Sequence, residues 1–568
     1  MNAVPTAAGA PAAPAGARTR AADPHPGLWE ALLGGSGRGT LHAWEGDRFS
    51  HTTWAAVTAD ARAMAGTLRA AGVVPGTRVA AVLSNTPEAV RGLLAAWIAG
   101  AAVASLPLPA RGMTAPEYGA QITALLDRVD PVVLLADPGL LPMLPATAGR
   151  DLPVLPWTAL TGGPGGVEPC PPGPDETAFI QCSSGSTSVP KGCALTPRAI
   201  AAQLGMMLEM AGSTPGREVI GCWLPLSHDM GAFGCLLNSW AYDFDLVLST
   251  PERFGMAPRS WFRDLSEFGA TMTAGTSTAL HLATRAQSRT TPLPRELALR
   301  VLTLGAERVD WDTIAAATER FAPSGLRPEA FMPAYGLAEA TLAVACTPYD
   351  RRPHAAAFDR DALLAGRAEP APEGAPGSVR LVSNGPALPG VRITAGPPGT
   401  SAELHISSPS LATHYHGDPE RTAERFTGGG LRTEDLGFEH DGEIYVAGRS
   451  DDLLSVGGRK IYAAEVEAAL DALGPLRQGA SVLLDTGRAG AVELVLLTEP
   501  RRRRDDFPAI ADDIAAVARG TAGVALAECW FLEQGTVPRT PSGKVQRNRC
   551  RALLGDDRLR TIARVRLG

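Results

Sequence analysis

The sequence predicts an α/β fold: layered, mostly parallel sheets, then antiparallel strands, then a small α+β unit at the C-terminal end. Three observations carry this. Through Gly305, short apolar runs alternate with amphipathic helical stretches, the strand, helix, strand rhythm that builds parallel sheets with helices on their faces. At 568 residues the chain exceeds what one hydrophobic core fills, so at least two domains are expected. Chemistry-bearing residues recur just after apolar runs, where open α/β sheets place their ligand crevice.

Residues 1–26 are rich in Ala, Pro and Gly, with arginines only at Arg18 and Arg20. They lack the apolar centre of a signal peptide and read as a disordered tail. An edge strand is expected at 41–44, a helix over 53–71 ended by Gly72, a strand at 79–83 and a helix over 87–99. The most membrane-like stretch, 92–108, is Gly/Ala-rich and broken by Pro107, so it reads as a buried helix running into a strand and not as a membrane span. A strand at 132–136 and a Pro/Gly-rich surface connection over 162–174 follow.

Beyond residue 195 come a helix over 197–211 and a strand ending at Trp223-Leu-Pro-Leu-Ser-His-Asp-Met-Gly231. Strands at 246–249, 271–275 and 299–304 and a helix near 259–268 continue the rhythm, the last strand ending in Gly305-Ala306-Glu307. A charged, Ala/Pro/Gly-rich segment over 346–377 interrupts it and reads as an insertion. Antiparallel-type strands follow at 391–393, 402–406 and 444–446. Gly448-Arg449-Ser-Asp451-Asp marks the expected boundary of the C-terminal unit, which has strands at 453–456, near 481–484 and at 492–498, and helices over 463–473 and 508–518. The arginine run 501–504 is most simply a solvated loop; a docking patch for an acidic carrier protein is the lesser reading.

Hydrophobic residues make up 45% and charged residues 20%, an ordinary globular balance. A formal charge of −7 argues against nucleic acid as an electrostatic partner. The eight cysteines form no Cys-x-x-Cys pair and no Cys/His ligand pattern, so they read as buried thiols of a cytoplasmic protein.

The most informative stretch is Gln181-Cys-Ser-Ser-Gly-Ser-Thr-Ser-Val-Pro-Lys-Gly192. The apolar run Ala178, Phe179, Ile180 leads into it like a buried strand, which a flexible Ser/Gly linker would not need. Gly185 and Gly192 let the backbone approach an anion, hydroxyls at Ser183, Ser184, Ser186, Thr187 and Ser188 can donate hydrogen bonds, and Lys191 adds a full charge. A phosphate-binding loop is expected. It is not a Walker loop, because Pro190 precedes the lysine and a glycine follows it.

Further motifs follow in order: Ala334-Tyr-Gly-Leu-Ala-Glu339, Leu431-Arg-Thr-Glu-Asp435-Leu-Gly437, Gly448-Arg449-Ser-Asp451-Asp and Pro538-Arg-Thr-Pro-Ser-Gly-Lys544-Val-Gln-Arg547. As a set they resemble the adenylate-forming superfamily of acyl-CoA synthetases, fatty acyl-AMP ligases and peptide-synthetase adenylation domains, over roughly residues 30 to 555. The resemblance implies a large N-terminal domain (27–447) with a distorted β-barrel-like subdomain, a hinge (448–452) at Asp451, and a small mobile C-terminal lid (453–568). It implies ATP and Mg2+, with Ser183, Ser184, Gly185, Ser186, Thr187 and Lys191 on the phosphates and Glu339 with Thr187 on the metal. Tyr335 would stack on adenine, with Gly336 beside it and Gly305, Ala306 and Glu307 along the edge. Asp435 would take the ribose hydroxyls with Arg449 beside it, and Lys544 would touch the substrate carboxylate and the forming phosphate ester.

Among these groups the sequence is most similar to the fatty acyl-AMP ligases, through Trp223 to Gly231, Gly305-Ala306-Glu307 and the insertion before Leu381-Val-Ser-Asn-Gly385. That similarity implies a pocket for a small-molecule carboxylic acid at His228, Asp229, Met230, Thr276, Ser277 and Ala334, with His228 as its gate, and delivery to a carrier-protein phosphopantetheine thiol. Gly457-Gly458-Arg459-Lys460 instead resembles the branch that forms coenzyme A thioesters, so a full acyl-CoA synthetase acting on a bulky non-fatty acid is the same-class alternative. A non-catalytic nucleotide-binding relative would be expected to have lost Lys544 or Glu339, and a phosphotransferase would need a Walker lysine. Ser188 and Glu434 replace usual glycines, and Thr276-Ser277-Thr278 replace bulkier residues, which points to a wider acyl pocket for a bulky or branched acid.

Overall fold

In the computed structural model, the residues described are 27–34, 37–109, 113–144, 152–161, 167–182, 191–287, 292–456, 459–486, 493–502, 506–539 and 545–567. The expected tail over 1–26 lies outside them. Two large sheets lie over one shared apolar core. One has seven strands in the order His414–Tyr415, Gly192–Leu195, Phe179–Cys182, Ala102–Leu106, Arg78–Val82, Val133–Ala136, Val154–Pro156. The other has eight: Ala343–Cys346, Phe331–Gly336, Val301–Leu304, Met272–Gly275, Val219–Cys222, Asp245–Leu248, Thr40–Trp44, Phe49–Thr53. Both are parallel through the middle, as the alternation predicts; the eight-stranded sheet ends in an antiparallel strand at each edge, the seven-stranded one only on the His414–Tyr415 side, its Val154–Pro156 edge being parallel.

Burial on both faces explains the near-continuous apolar strands. Ala102–Leu106 is buried at every position, and the helix Pro87–Ile98 before it is buried almost all round, so 92–108 is a core element as expected. Among the described residues no helix is long and apolar enough to cross a membrane. Helix starts are written as Thr-Pro pairs: Thr86, Thr196 and Thr250 each accept a backbone N–H at the N-cap while the following proline occupies the first turn.

A third layer is a five-stranded antiparallel sheet built on the long strand Gly430–His440, flanked by Ala402–Ser407 and Glu443–Arg449. The segment before it is an inserted hairpin, Ala355–Asp359 with Ser378–Val382, carrying the short helix Arg360–Leu364. The C-terminal part has its own four-stranded sheet, Leu476–Asp485, Leu494–Pro500, Glu528–Leu532, Thr561–Arg566. Helices Ala463–Leu470 and Phe507–Ala522 pack with one apolar cluster there and Arg547–Gly555 with another. It meets the rest of the chain through Arg549 and Arg558, both on Glu117 at 2.9 and 3.1 Å, and through Arg360, which reaches Glu465 at 2.9 Å and the Thr521 carbonyl at 2.7 Å.

Some features depart from the sequence reading. The helix Ala115–Val129 was not anticipated, although Thr114 and Glu117 form a reciprocal capping box at its start. Residues Met230–Leu237 form a π-helix, whose wider turn leaves no distinctive apolar period in so short a segment. Cys170 is exposed, on the Pro-rich connection where no core exists to cover it, while the other seven cysteines are buried as expected. The connection's residues 162–166 lie outside the description.

Candidate functional site

The carboxyl ends of neighbouring parallel strands open onto one cavity of ≈ 2470 Å³ that also touches the antiparallel layer and the C-terminal part. On its wall, after the strands Val301–Leu304 and Phe331–Gly336, are Gly305, Ala306, Glu307, Ala334, Tyr335, Gly336 and Glu339. His228, Asp229, Met230, Thr276 and Ser277 line it after Val219–Cys222 and Met272–Gly275. Lys191, Asp435 and Arg449 complete the set. Ser183, Ser184, Gly185, Ser186, Thr187 and Lys544 lie outside the described residues, but the ends of both their loops reach the same place. Cys182 pairs with Gly192 and Arg539 with Val545, and Cys182, Lys191, Arg539, Val545 and Gln546 all border the cavity. Asp451 falls in a single 3-10 turn, Ser450–Asp452, between the antiparallel layer and the C-terminal part.

One group is built on Asp435. Its register opposite Arg449 across the Gly430–His440 and Glu443–Arg449 pair sets Arg449 Nη1 3.4 Å from Oδ1. The buried Tyr335 hydroxyl donates to Oδ2 at 2.7 Å. Burial first, and then the Asp435 charge, push the Tyr335 phenol well above its ordinary range, so it remains a donor at neutral pH. Gly336 follows because a Cβ there would collide with the Leu342 carbonyl, which the adjacent strand brings up close.

The second group is a cluster of charges. Lys191 Nζ lies 3.3 Å from Glu434 and 3.7 Å from the buried Glu339, and 5.5 Å over the Tyr415 ring. The Tyr415 hydroxyl donates to Glu339 at 2.8 Å; burial, then Glu339, raise its pKa. Glu434 also accepts from Arg425, lies 3.2 Å from Arg449 and 3.5 Å from Arg421, and has φ +68°, a left-handed conformation that costs about 1 kcal/mol outside glycine. Among the described residues no three His, Cys, Asp or Glu form a metal cage. A single buried carboxylate, Glu339, suits a small hard cation that takes one or two carboxylates and fills its shell with phosphate oxygens and water.

The third group lines the cavity together with several apolar side chains. Asp229 caps the π-helix, accepting from Met230 N at 2.7 Å, and sits 2.6 Å from His228 Nδ1. Met207, Ile220, Met272 and Val301 are among the apolar side chains that line the same cavity. Thr276 and Ser277 are buried and largely occupied: Thr276 caps the helix Ser277–Ala286 at 3.1 Å, and Ser277 accepts from Asp310 N at 3.0 Å. Glu307 accepts from Thr278 N at 2.6 Å, tying the strand end to that same helix start. Sequence reasoning missed Tyr415, Arg421 and Arg425, which have no motif of their own. Glu434 it noted only as a departure, when it is the hub of the cluster.

A family model described as AMP-binding enzyme matches residues 36–416. The chain is 30% identical to the long-chain-fatty-acid–AMP ligase FadD26 of Mycobacterium bovis, over 88% of this chain and 90% of that one. It is 29% identical to a 4-hydroxyphenylalkanoate adenylyltransferase of Mycobacterium marinum, over 89% of this chain and 86% of that one. Among solved structures, one from studies of fatty acyl-adenylate ligases of E. coli and L. pneumophila matches with a TM-score of 0.88 at 26% identity, covering 94% of this chain and 98% of the other.

Proposed function

The chain belongs to the AMP-binding enzyme family, and from that premise we propose that it activates a carboxylic acid with ATP and passes the acyl group to a thiol. A carboxylate oxygen attacks the α-phosphorus, the bond to the β-phosphate oxygen breaks, and acyl-AMP and pyrophosphate form. A thiolate then attacks the acyl carbon and AMP leaves. The observation that carries this reading is the meeting of the Tyr335, Asp435, Arg449 group with the Lys191, Glu339 cluster on one cavity wall. A ribose and a polyphosphate need those two chemistries side by side.

In this reading Tyr335 stacks on adenine beside Gly305, Ala306, Glu307 and Gly336, and Asp435 with Arg449 holds the ribose. Ser183 to Thr187 and Lys191 surround the phosphates. Glu339 with Thr187 would hold Mg2+, which would supply neutralisation of phosphate charge. Lys544 comes in from the C-terminal part, which pivots at Asp451 to admit the thiol. Replacing Glu339 by Gln raises the Mg2+ requirement by about tenfold, read by metal titration of the exchange rate; an unchanged requirement removes Glu339 from the metal's shell.

His228 gates the acyl pocket, in whose lining the small residues Thr276, Ser277 and Thr278 favour a bulky or branched acid; the similarity to an adenylyltransferase named for an aromatic acid supports this. The preferred acceptor is a carrier-protein phosphopantetheine, supported by the relatives named as AMP ligases. Coenzyme A is the second reading, favoured by Gly457-Gly458-Arg459-Lys460. Work in the reducing cytoplasm suits the buried thiols. ATP–pyrophosphate exchange tests the reaction: it is expected to depend on added acid, and phosphate release or acid independence would overturn the reading. Mass spectrometry of products from an acid library, offered coenzyme A and a carrier protein in parallel, tests the rest. Preference for dodecanoate over every bulky acid would refute the wide pocket.

A further inference from the structure

Glu434 stands out because a glycine would suit its backbone better and because its carboxylate gathers four cations. Three of these, Lys191, Arg421 and Arg449, line the cavity together with Glu434 itself. A brace for the sheet would tie cations away from the cavity, whereas this carboxylate sits on the groups a polyphosphate would need. Its partners also have second carboxylates of their own. Lys191 has Glu339 at 3.7 Å, Arg449 has Asp435 at 3.4 Å and Arg425 has Glu403 at 3.1 Å. Lys191, Arg449 and Arg425 would therefore each keep a carboxylate if Glu434 withdrew.

We propose that Glu434 is a built-in competitor for the nucleotide's phosphates, an internal anion that occupies Lys191, Arg421 and Arg449 and must yield them when ATP binds. It is a positioning residue that sets nucleotide affinity, and this rests on the proposed reading that Lys191 meets the phosphates and Arg449 the adjoining ribose. The exchange of one anion for another lowers the affinity for ATP and, by the same reasoning, for pyrophosphate, so that pyrophosphate leaves readily once formed. The acid's own pocket is untouched by it.

The test is calorimetric titration of the full chain with pyrophosphate and with ATP, together with KM values for ATP and for the acid. Glu434→Gln keeps the side chain's size and removes its charge. It is expected to bind both anions about tenfold more tightly, the order expected for one charged hydrogen-bonding group, with KM for ATP falling and KM for the acid unmoved. Equal or weaker pyrophosphate binding would overturn the proposal, as would parallel changes in both KM values, which a merely structural role produces. If the glutamine variant does not fold, Glu434→Gly carries the same test with a backbone that accepts φ +68° freely. Pyrophosphate binding is read without acid or thiol, so tighter binding alongside absent acid-dependent exchange would sink the ligase reading and leave this one standing.

Discussion

Lys544→Ala slows acid-dependent ATP–pyrophosphate exchange by about 10²–10³-fold, the loss expected when one preorganised donor to a developing charge is removed. The physical basis is that attack on the α-phosphate brings two anions together, a carboxylate and a phosphate, and a cation between them is worth most at that instant. Arg539 and Val545, the described residues that flank Lys544, pair with each other, and Arg539, Val545 and Gln546 border the cavity. The described residues on either side of Lys544 therefore lie at the cavity wall. The same variant, supplied with preformed acyl-AMP, should transfer the acyl group to thiol with much less impairment, because the joining of two anions at the α-phosphate is already complete and in the proposed cycle Lys544 has withdrawn before the thiol attacks. An exchange rate equal to wild type would remove Lys544 from the first half-reaction.

Arg547→Met destabilises the C-terminal part by about 3 kcal/mol, read as a drop in the free energy of its denaturant unfolding. Arg547 is buried, with Nε 2.9 Å from Asp452, Nη2 3.1 Å from Glu467 and Nη1 3.1 Å from the Leu483 carbonyl. Removing the guanidinium leaves Glu467 and Asp452 without their cation and a carbonyl without its donor. Asp452 is partly exposed, so water recovers some of the loss. Lysine should rescue poorly, since an ammonium cannot serve three directions in the plane of a guanidinium. A change below about 1 kcal/mol would show that the contacts are incidental. Asp452 also belongs to the turn that contains the proposed hinge, so the variant is expected to disturb the alternation of half-reactions as well.

Much of the architecture was legible because burial on two faces writes a plain pattern. Ala102–Leu106 and Phe179–Cys182 could be placed as central strands from apolar continuity alone, and the helix after Thr86 from its cap and proline. What escaped was the π-helix Met230–Leu237, whose hydrogen bonding writes no familiar period, and the short terminal strand Thr561–Arg566, where Ala563 and Val565 pack on the core while Arg564 and Arg566 face Glu528, an alternation too brief to mark a strand by itself. The site divides in the same way. Tyr335, Glu339, Asp435 and Arg449 belong to ordered motifs and meet in space. Tyr415 reaches Glu339 only because the short edge strand His414–Tyr415 pairs with Gly192–Leu195, a long-range registration that single residues do not announce. Glu434 was visible as a substitution, but its four partners come from segments that only the folded chain brings together.

Glu117 has two occupations at once: it closes the capping box of the helix Ala115–Val129, and it receives Arg549 and Arg558 from the C-terminal part. Burial alone would raise its pKa, but the hydrogen bonds from Thr114 and the two arginines together hold it below the ordinary carboxylate value. If the arginines depart, the carboxylate keeps its tie to Thr114 and needs no new partner. Such a fastening parts at little cost on either side, and its grip should slacken as ionic strength climbs. The proposed pivot of the small unit should accordingly quicken in concentrated salt even while each half of the molecule stays folded.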